Sequence, residues 1–508
     1  MKIKFSSQQL GVAILLFGIV LRLIVFGQNR SLFIDEANLA RNIVEKDFIA
    51  FFQVLDYDQY APPLFLCISK VFTLLFGANE WALRVWPLLA GMLSLWLLLQ
   101  IGRQLRLTGL ALLIPITWMA LSALFVRYHT EVKQYSSDAM IALLLIYLLL
   151  RYRLHDNESK VSQLPSSFYI IWGVIGCLAP WLSMSSVFVL FGIGFFVILR
   201  FWRGSAMRQF MLWILTVGSW LISFGIYYLV ILQFDLDKDF LIDYHSQFSF
   251  PTNWLEGAAW QQAGGVLKSI LRSTFGFTFL AYLLGSVGLI FGLIRLYQGY
   301  RSLLLILGLP ILTSWIASAF GLYSLIPRLT LFFIPLLHLI FAFAFQDLEE
   351  KSIKFNGKTL SIRYLLLIPI LLLLPLQKGE EYLWSPLKIE ELRPTLVELG
   401  LVVEPTTPIY VNNEAGPAFS FYQELHDFHP FLKQIKAHIA TWDESPATWL
   451  EKIPPEENEV WLLYSHLISA YSNERMNVDL RGIPASWQVG KELRGEGVMA
   501  IQYLRQNH

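Results

Sequence analysis

Apolar residues run along this chain in long unbroken blocks separated by short polar connections, and not at the spaced positions of an amphipathic helix. About 20 apolar residues in a helix cross a 30 Å hydrocarbon layer, so each block predicts a membrane span. The first, LGVAILLFGIVLRLIVFG after MKIK, has the charged and apolar regions of a signal peptide but no small-x-small cleavage site before Asn29, and reads as an uncleaved span. Arg22 lies inside it; an arginine at that depth costs about 3 kcal/mol unless it snorkels or finds a partner, and snorkelling is the expectation. Further blocks centre on 81–101, 108–125, 139–150, 168–182, 187–200, 210–232, 277–294, 303–320, 330–345 and 364–376, which makes about eleven transmembrane helices. The run PPLFLCISKVFTLLFG from Pro62 is short and carries Lys70, which predicts a helix lying in the interface.

With a cytoplasmic N-terminus, the basic connections at 103–106, 151–160, 200–208, 295–301 and 351–363 all fall inside, as the positive-inside rule requires. The opposite side then receives the loop 31–80, the turn 127–138, the loop 233–268, the short loop 321–328 and everything after Gln377. From about Lys378 the pattern becomes that of a soluble domain. TPIYVNN followed by GPAFSFYQEL predicts strand, turn and helix, and EVWLLYSHL and GVMAIQYLR predict further strands. The expected organisation is a multi-pass membrane domain, 1–377, with a first outer loop at about 28–80, and an extracytoplasmic α/β domain, 378–508. The second domain has no phosphate-binding Gly-rich loop and no metal motif, so it is expected to act as a lid or scaffold.

Composition agrees. Of 508 residues 55% are hydrophobic, and aromatic residues are as frequent as charged ones, at 15% each, which is too apolar for a water-soluble core. A net charge of +1 gives no basic field for nucleic acid. Cys67 and Cys177 sit in apolar runs and read as small buried hydrophobes.

Three polar clusters interrupt the apolar pattern on one side of the membrane. Asp35 and Glu36 stand together just past the first span, in SLFIDEANLARNI. Adjacent carboxylates there can serve as general base, metal ligand or both, while the simpler reading makes Asp35 the cap of a helix starting near Glu36. RYHTEVKQYSSD, 127–138, opens the fourth span; on a helix Glu131, Tyr135 and Asp138 share one face, and His129 and Lys133 form a cationic row. In GLYSLIPRLTLFFIPLL, Arg328 follows Pro327 and Tyr323 at the entrance of the tenth span, and its planar fork of donors suits a phosphate. Arg84, after EWAL, is a weaker candidate, since anchoring beside Trp81 and Trp86 explains it equally well. Together these groups can deprotonate a hydroxyl or hold a divalent cation such as Mg or Mn, and can neutralise a phosphate leaving group. That chemistry suits glycosyl transfer from a lipid-linked phosphosugar. One base with no paired nucleophile predicts a single displacement with inversion.

The order of these motifs resembles a known family. Leu21 and Arg22 late in the first span, DEA at Asp35 to Ala37, QYAPPLF from Gln59, FGANEWALRVWP from Phe76, EVKQYSSD and a late YSLIPRLTLFFIP resemble the GT-C superfamily of polytopic glycosyltransferases. The likeness is to the bacterial branch related to protein O-mannosyltransferases and to the lipid A aminoarabinose transferase. It implies a polyprenyl-phosphate sugar as donor, a lipid, glycan or protein hydroxyl as acceptor, and hexosyl or pentosyl transfer on the extracytoplasmic face. It further implies Asp35 as base beside Glu36, Glu131 or Asp138 as second acid, and Lys133, Arg328 and Tyr323 at the donor phosphate. Gln59, His129, Tyr135 and Arg84 are the expected substrate contacts, and Asp35, Glu131 and Asp138 the expected ligands if a metal is used; there is no DxD motif. A transporter or flippase of lipid-linked saccharides is the alternative class. It fits less well, because the charges gather at one face and no repeated halves are seen.

Overall fold

The residue chemistry at helix ends sets the frame of the membrane domain. Ser6 and Gln9 form a reciprocal capping box that starts α1, Ser7–Gly27. Asn79 caps α4, Glu80–Gln104, by accepting from Ala82 N, and Pro63 opens α3, Pro63–Phe76, where a missing N–H costs nothing. A computed structural model describes residues 6–155, 164–203, 207–236, 244–276, 278–346, 352–355, 358–361, 390–425 and 432–506. Ten of the apolar blocks are helices: α1, α4, α5 (Gly109–Leu121, with the short α6, Ala123–Tyr128, after it), α7 (Tyr135–Arg151), α8 (Ser166–Leu182), α9 (Ser186–Arg203), α10 (Met207–Tyr227), Phe279–Gly299, Arg301–Ala319 and Ile334–Ala342. Six of the described helices are long and apolar enough to cross a membrane. The eleventh block and the boundary expected near 378 lie outside the described residues.

Close helix approach depends on small residues. A Cβ at Gly18 of α1 would sit 2.8 Å from the Ala120 Cβ of α5, so the two helices meet there without a side chain between them. Arg22, one turn further along α1, does not snorkel. It is fully buried, donating from Nε to His129 Nδ1 at 2.8 Å and from its Nη atoms to the carbonyls of Gly18, Ala120 and Met119 at 2.8–2.9 Å. The carbonyls left unpaired where α5 ends supply the partners that water would otherwise provide.

The loop after α1 folds into α2, Ile34–Glu45, followed by α3. Lys70 of α3 donates to the carbonyls of Ile43 and Val44, closing the C-terminal end of α2. The exposed apolar end of α3, Leu74 to Phe76, suits the interfacial position expected for it.

A short hairpin, β1 (Ser352–Phe355) and β2 (Lys358–Ser361), precedes the C-terminal domain. That domain is a five-stranded mixed sheet in the order β4-β3-β5-β7-β6: β3 (Ile409–Val411) is parallel to β4 (Ala437–Ile439) and β5 (Glu459–Tyr464). β7 (Val498–Arg505) is antiparallel to β5 and to β6 (Trp487–Gly495). The three predicted strand segments become β3, β5 and β7. This domain shares an apolar core with the first loop. Leu32, Ala37, Leu39, Ile43, Phe65 and Val132 pack with Leu392, Leu396, Phe419, Tyr422 and Trp461. Arg393 pairs with the buried Glu80 at 2.7 Å, and the Tyr422 hydroxyl both donates to Glu80 and accepts from Leu32 N. The sheet domain is therefore fixed onto α2 and the start of α4.

Candidate active site

The site forms where α2 begins. Phe33 is the N-cap and makes no side-chain cap, so Asp35 does not cap the helix; Asp35 and Glu36 both lie in its first turn, where the helix dipole favours negative charge. Successive residues of a helix point about 100° apart, and the two acids separate accordingly. Glu36 is fully buried in a bidentate pair with Arg84, at 2.6 and 3.0 Å, and accepts from Val132 N at 2.7 Å. Arg84 also donates to the carbonyls of Arg30 and Ser31. Burial alone would raise the Glu36 carboxyl, but Arg84 and Arg30 hold it below its ordinary range. Glu36 and Arg84, expected as catalytic and substrate-contacting groups, thus lock α2 to α4 and to the segment before α7.

Asp35 keeps 42% of its side chain exposed and faces a cavity of about 680 Å³, within the size range of ligand pockets. Around that cavity stand Lys133, Arg328, Asp138, Gln59, Tyr135 and Tyr323. Arg328 Nη1 lies 3.9 Å from Asp35 Oδ2, and its Nε has no hydrogen-bond partner among the described residues. Its guanidinium covers the Tyr244 ring, with 5.6 Å from Cζ to the centroid. Lys133 Nζ donates to Gln59 Oε1 at 2.9 Å. Lys133 above all, then Arg328, His466 and Arg127, hold the Asp35 carboxyl below the usual carboxylate range against the opposing effect of burial. Burial pushes the Lys133 ammonium down, and Asp35 opposes it.

Tyr323 lines the cavity, yet its hydroxyl donates to Leu329 O at 2.9 Å and so holds the turn that carries Arg328. Asp138 accepts from Ser183 Oγ at 2.6 Å, and Tyr135 stands edge-on to Tyr128. The helical face expected to join Glu131 with these two residues does not form, because α7 starts at Tyr135 and Glu131 lies in the turn before it. Glu131 is buried against Arg127 Nε at 2.8 Å and Arg30 Nη2 at 3.7 Å. His129 does not reach the cavity either: its buried ring accepts from Arg22 and fills the space that a side chain at Gly91 would need. The three acids expected as metal ligands are therefore held by three different sets of partners. Among the described residues no group of three or more His, Cys, Asp or Glu is arranged to hold a metal ion.

The cavity wall also includes Tyr60, His245, Asn253, Glu256 and Gln262, which sequence reasoning did not single out. Tyr60 meets the Tyr227 hydroxyl, and Gln262 Nε2 ties the carbonyls of Ser246 and Ser249 to the helix Gly257–Phe275. Burial, then Arg328, push His245 down to about 4. Tyr60 lies within QYAPPLF, while the signal for the other four was polar residues in the stretch after α10, which carries no motif.

The described residues thus form a polytopic helical bundle with an acid-bearing first loop, under a sheet domain fixed to that loop. The chain superimposes on ArnT from Cupriavidus metallidurans, solved in the apo state, with a TM-score of 0.51 at 12% identity, covering 96% of this chain and 97% of that one. The same protein bound to undecaprenyl phosphate gives 0.50 at 13% identity over the same shares. The Archaeoglobus fulgidus oligosaccharyltransferase tethered to an acceptor peptide gives 0.50 at 12% identity, covering 98% of this chain and 74% of that one. These likenesses establish the fold. No protein-family model and no curated protein matches the sequence.

Proposed function

We propose that this protein is a membrane glycosyltransferase that moves a sugar from a polyprenyl-phosphate donor to an acceptor hydroxyl on the extracytoplasmic face, with inversion. The observation that carries the reading is one cavity bordered by a half-exposed carboxylate, Asp35, and by two cations, Lys133 and Arg328. Undecaprenyl phosphate in a solved structure of the same fold supports a lipid phosphate as the donor's leaving group. The acceptor peptide in the archaeal structure supports an acceptor approaching the same face.

In this reading Asp35 takes the proton of the acceptor hydroxyl as its oxygen bonds to the anomeric carbon. The bond to the phosphate oxygen breaks, and its electron pair stays on the phosphate. Lys133 and Arg328 stabilise that charge; preorganised cations in a low-dielectric cavity act strongly there without reorganising. Gln59 fixes Lys133, and Tyr323 fixes the turn bearing Arg328. Asp138, a further carboxylate lining the cavity, is the candidate contact for the sugar. Glu131 pairs with Arg127 and Arg30. Among the described residues, Asp35, Glu131 and Asp138 do not gather into a divalent-cation site.

The test incubates the purified protein in nanodiscs with undecaprenyl-phosphate hexoses and pentoses and a cell-envelope extract as acceptor. Release of undecaprenyl phosphate with sugar bonded to the extract, lost in Asp35→Asn, supports the reading. Movement of intact donor between leaflets, with no change in the sugar's covalent partner, would replace it by a flippase.

A further inference from the structure

The cavity that Asp35 borders also carries side chains with buried polar atoms that the fold leaves unpaired. Arg328 Nε, His245 Nδ1 and Gln134 Oε1 each make no hydrogen bond to a described residue, and all three residues line the cavity. Arg328 already has a use, at the donor phosphate. His245 is only partly buried. Gln134 is 7% exposed, so its carboxamide has left bulk water and its oxygen has gained no partner in return.

The ordinary structural use of a polar side chain at this position is not made. Gln134 is the N-cap of α7, yet its side chain accepts no hydrogen bond from the first turn of the helix. Only its main chain is engaged there, with the carbonyl accepting from Asp138 N at 3.2 Å. A buried amide is costly to leave unpaired, so a ligand that pairs it gains what the free protein forgoes.

Its neighbours say which part of the ligand stands there. Lys133, the preceding residue, and Asp138, four residues on, border the same cavity. Consecutive Cα atoms are about 3.8 Å apart, so Gln134 follows directly on a cation that the reading above places at the phosphate. Residues four apart on a helix stand roughly 5–6 Å apart at Cβ, a spacing at which two side chains meet two groups of one sugar ring. The ring bonded to a phosphate at Lys133 is the part of the donor within reach of both.

We propose that Gln134 selects the donor sugar, its carboxamide hydrogen-bonding one hydroxyl of the ring that is bonded to the phosphate. This rests on the glycosyltransferase reading above. The substrate class is a sugar bearing a hydroxyl at the ring position that faces Gln134. A donor lacking that hydroxyl leaves the amide unpaired in the bound state as well, and is disfavoured for that reason. No proton moves at Gln134, and its contribution is selection.

The experiment uses the full-length protein in nanodiscs with cell-envelope extract as acceptor. The donors are the undecaprenyl-phosphate sugar that the wild type consumes and its monodeoxy analogues, one for each ring hydroxyl. kcat/KM is measured for the wild type and for Gln134→Met, which keeps an unbranched side chain and removes the amide. Gln134→Asn, which keeps the amide but draws it back by one methylene, is the second variant. The wild type is expected to disfavour one analogue, and both variants to lower that preference by about tenfold or more, with the preferences at the other hydroxyls unchanged. Comparing ratios between proteins cancels the intrinsic reactivity of each donor. Without donor, Gln134→Met should melt at or above the wild-type temperature, since an apolar group replaces an unpaired polar one. Equal losses on all donors, a change confined to the acceptor dependence, or a lowered melting temperature with unchanged donor preferences would overturn the proposal while leaving the glycosyltransferase reading intact. A wild type that releases no undecaprenyl phosphate from any donor would overturn both.

Discussion

Asp35 and Arg328 face each other at 3.9 Å, an ion pair too long for a hydrogen bond. The spacing leaves both groups usable, the carboxylate for a hydroxyl proton and the guanidinium fork for an anion. A neutral amide at position 35 tests the first half of that statement. Asp35→Asn is expected to lower kcat by roughly 10²–10⁴-fold, the usual contribution of a positioned base. The unfolding midpoint should hardly move, because a half-exposed side chain outside the core changes stability by about 0.5 kcal/mol or less. Full turnover in the variant would remove Asp35 as base.

Arg328→Lys keeps the charge and loses the fork. Hydrogen bonds to charged groups are worth about 1.5–3 kcal/mol, so the donor KM should rise roughly 10–100-fold while the acceptor dependence stays constant. Tyr323→Phe, which frees the turn carrying Arg328 by removing its bond to Leu329 O, should move the same parameter less. An effect of Tyr323→Phe larger than that of Arg328→Lys would mean that the phenol itself meets the donor.

The pH dependence follows from Lys133, the strongest of the charges acting on Asp35. Because the Asp35 carboxyl lies below its ordinary value, kcat/KM should be flat as pH falls from 7 to about 5, above the ordinary aspartate range near 3.9. Its contribution to stability has the same sign: present above the unfolded-state value, and lost as pH falls through the lower folded value. Lys133→Gln should move the acid limb of kcat/KM to higher pH. A limb that stays in place would show that Lys133 does not set the ionisation of the base.

The Glu36–Arg84 pair should reveal itself in stability. Removing one partner of a buried, fully engaged ion pair costs about 3–5 kcal/mol, because the other charge is left uncompensated. Arg84→Met is expected to lower the unfolding midpoint sharply, and the double variant Arg84→Met with Glu36→Leu should regain part of that loss. A single variant that melts like the wild type would remove the pair's structural role.

The packing of His129 is tested at Gly91. A Cβ there would fall 2.2 Å from the imidazole Cγ, so Gly91→Ala should destabilise by about 1–3 kcal/mol, the range for overpacking. Thermal unfolding in detergent reads it out, and an unchanged midpoint would mean that the ring moves freely.

Of the candidate site, Asp35, Lys133, Asp138 and Arg328 were legible because ionisable residues are scarce in and beside the apolar blocks, and all four border one cavity. Reading 127–138 as one helix misplaced Glu131 and His129, since the backbone turns before Tyr135 and directs both into buried partnerships. Gln262 carried no local signal, as its position depends on a loop folding back.

What the sequence determined by itself is what a hydrocarbon layer imposes on contiguous residues: where ten of the apolar blocks run as helices, and that strands of a polar domain follow them. Only the tertiary structure decided between neighbours such as Asp35 and Glu36. About 100° of helical rotation gives one to the cavity and the other to Arg84, and which direction holds a cation depends on chain segments distant in sequence.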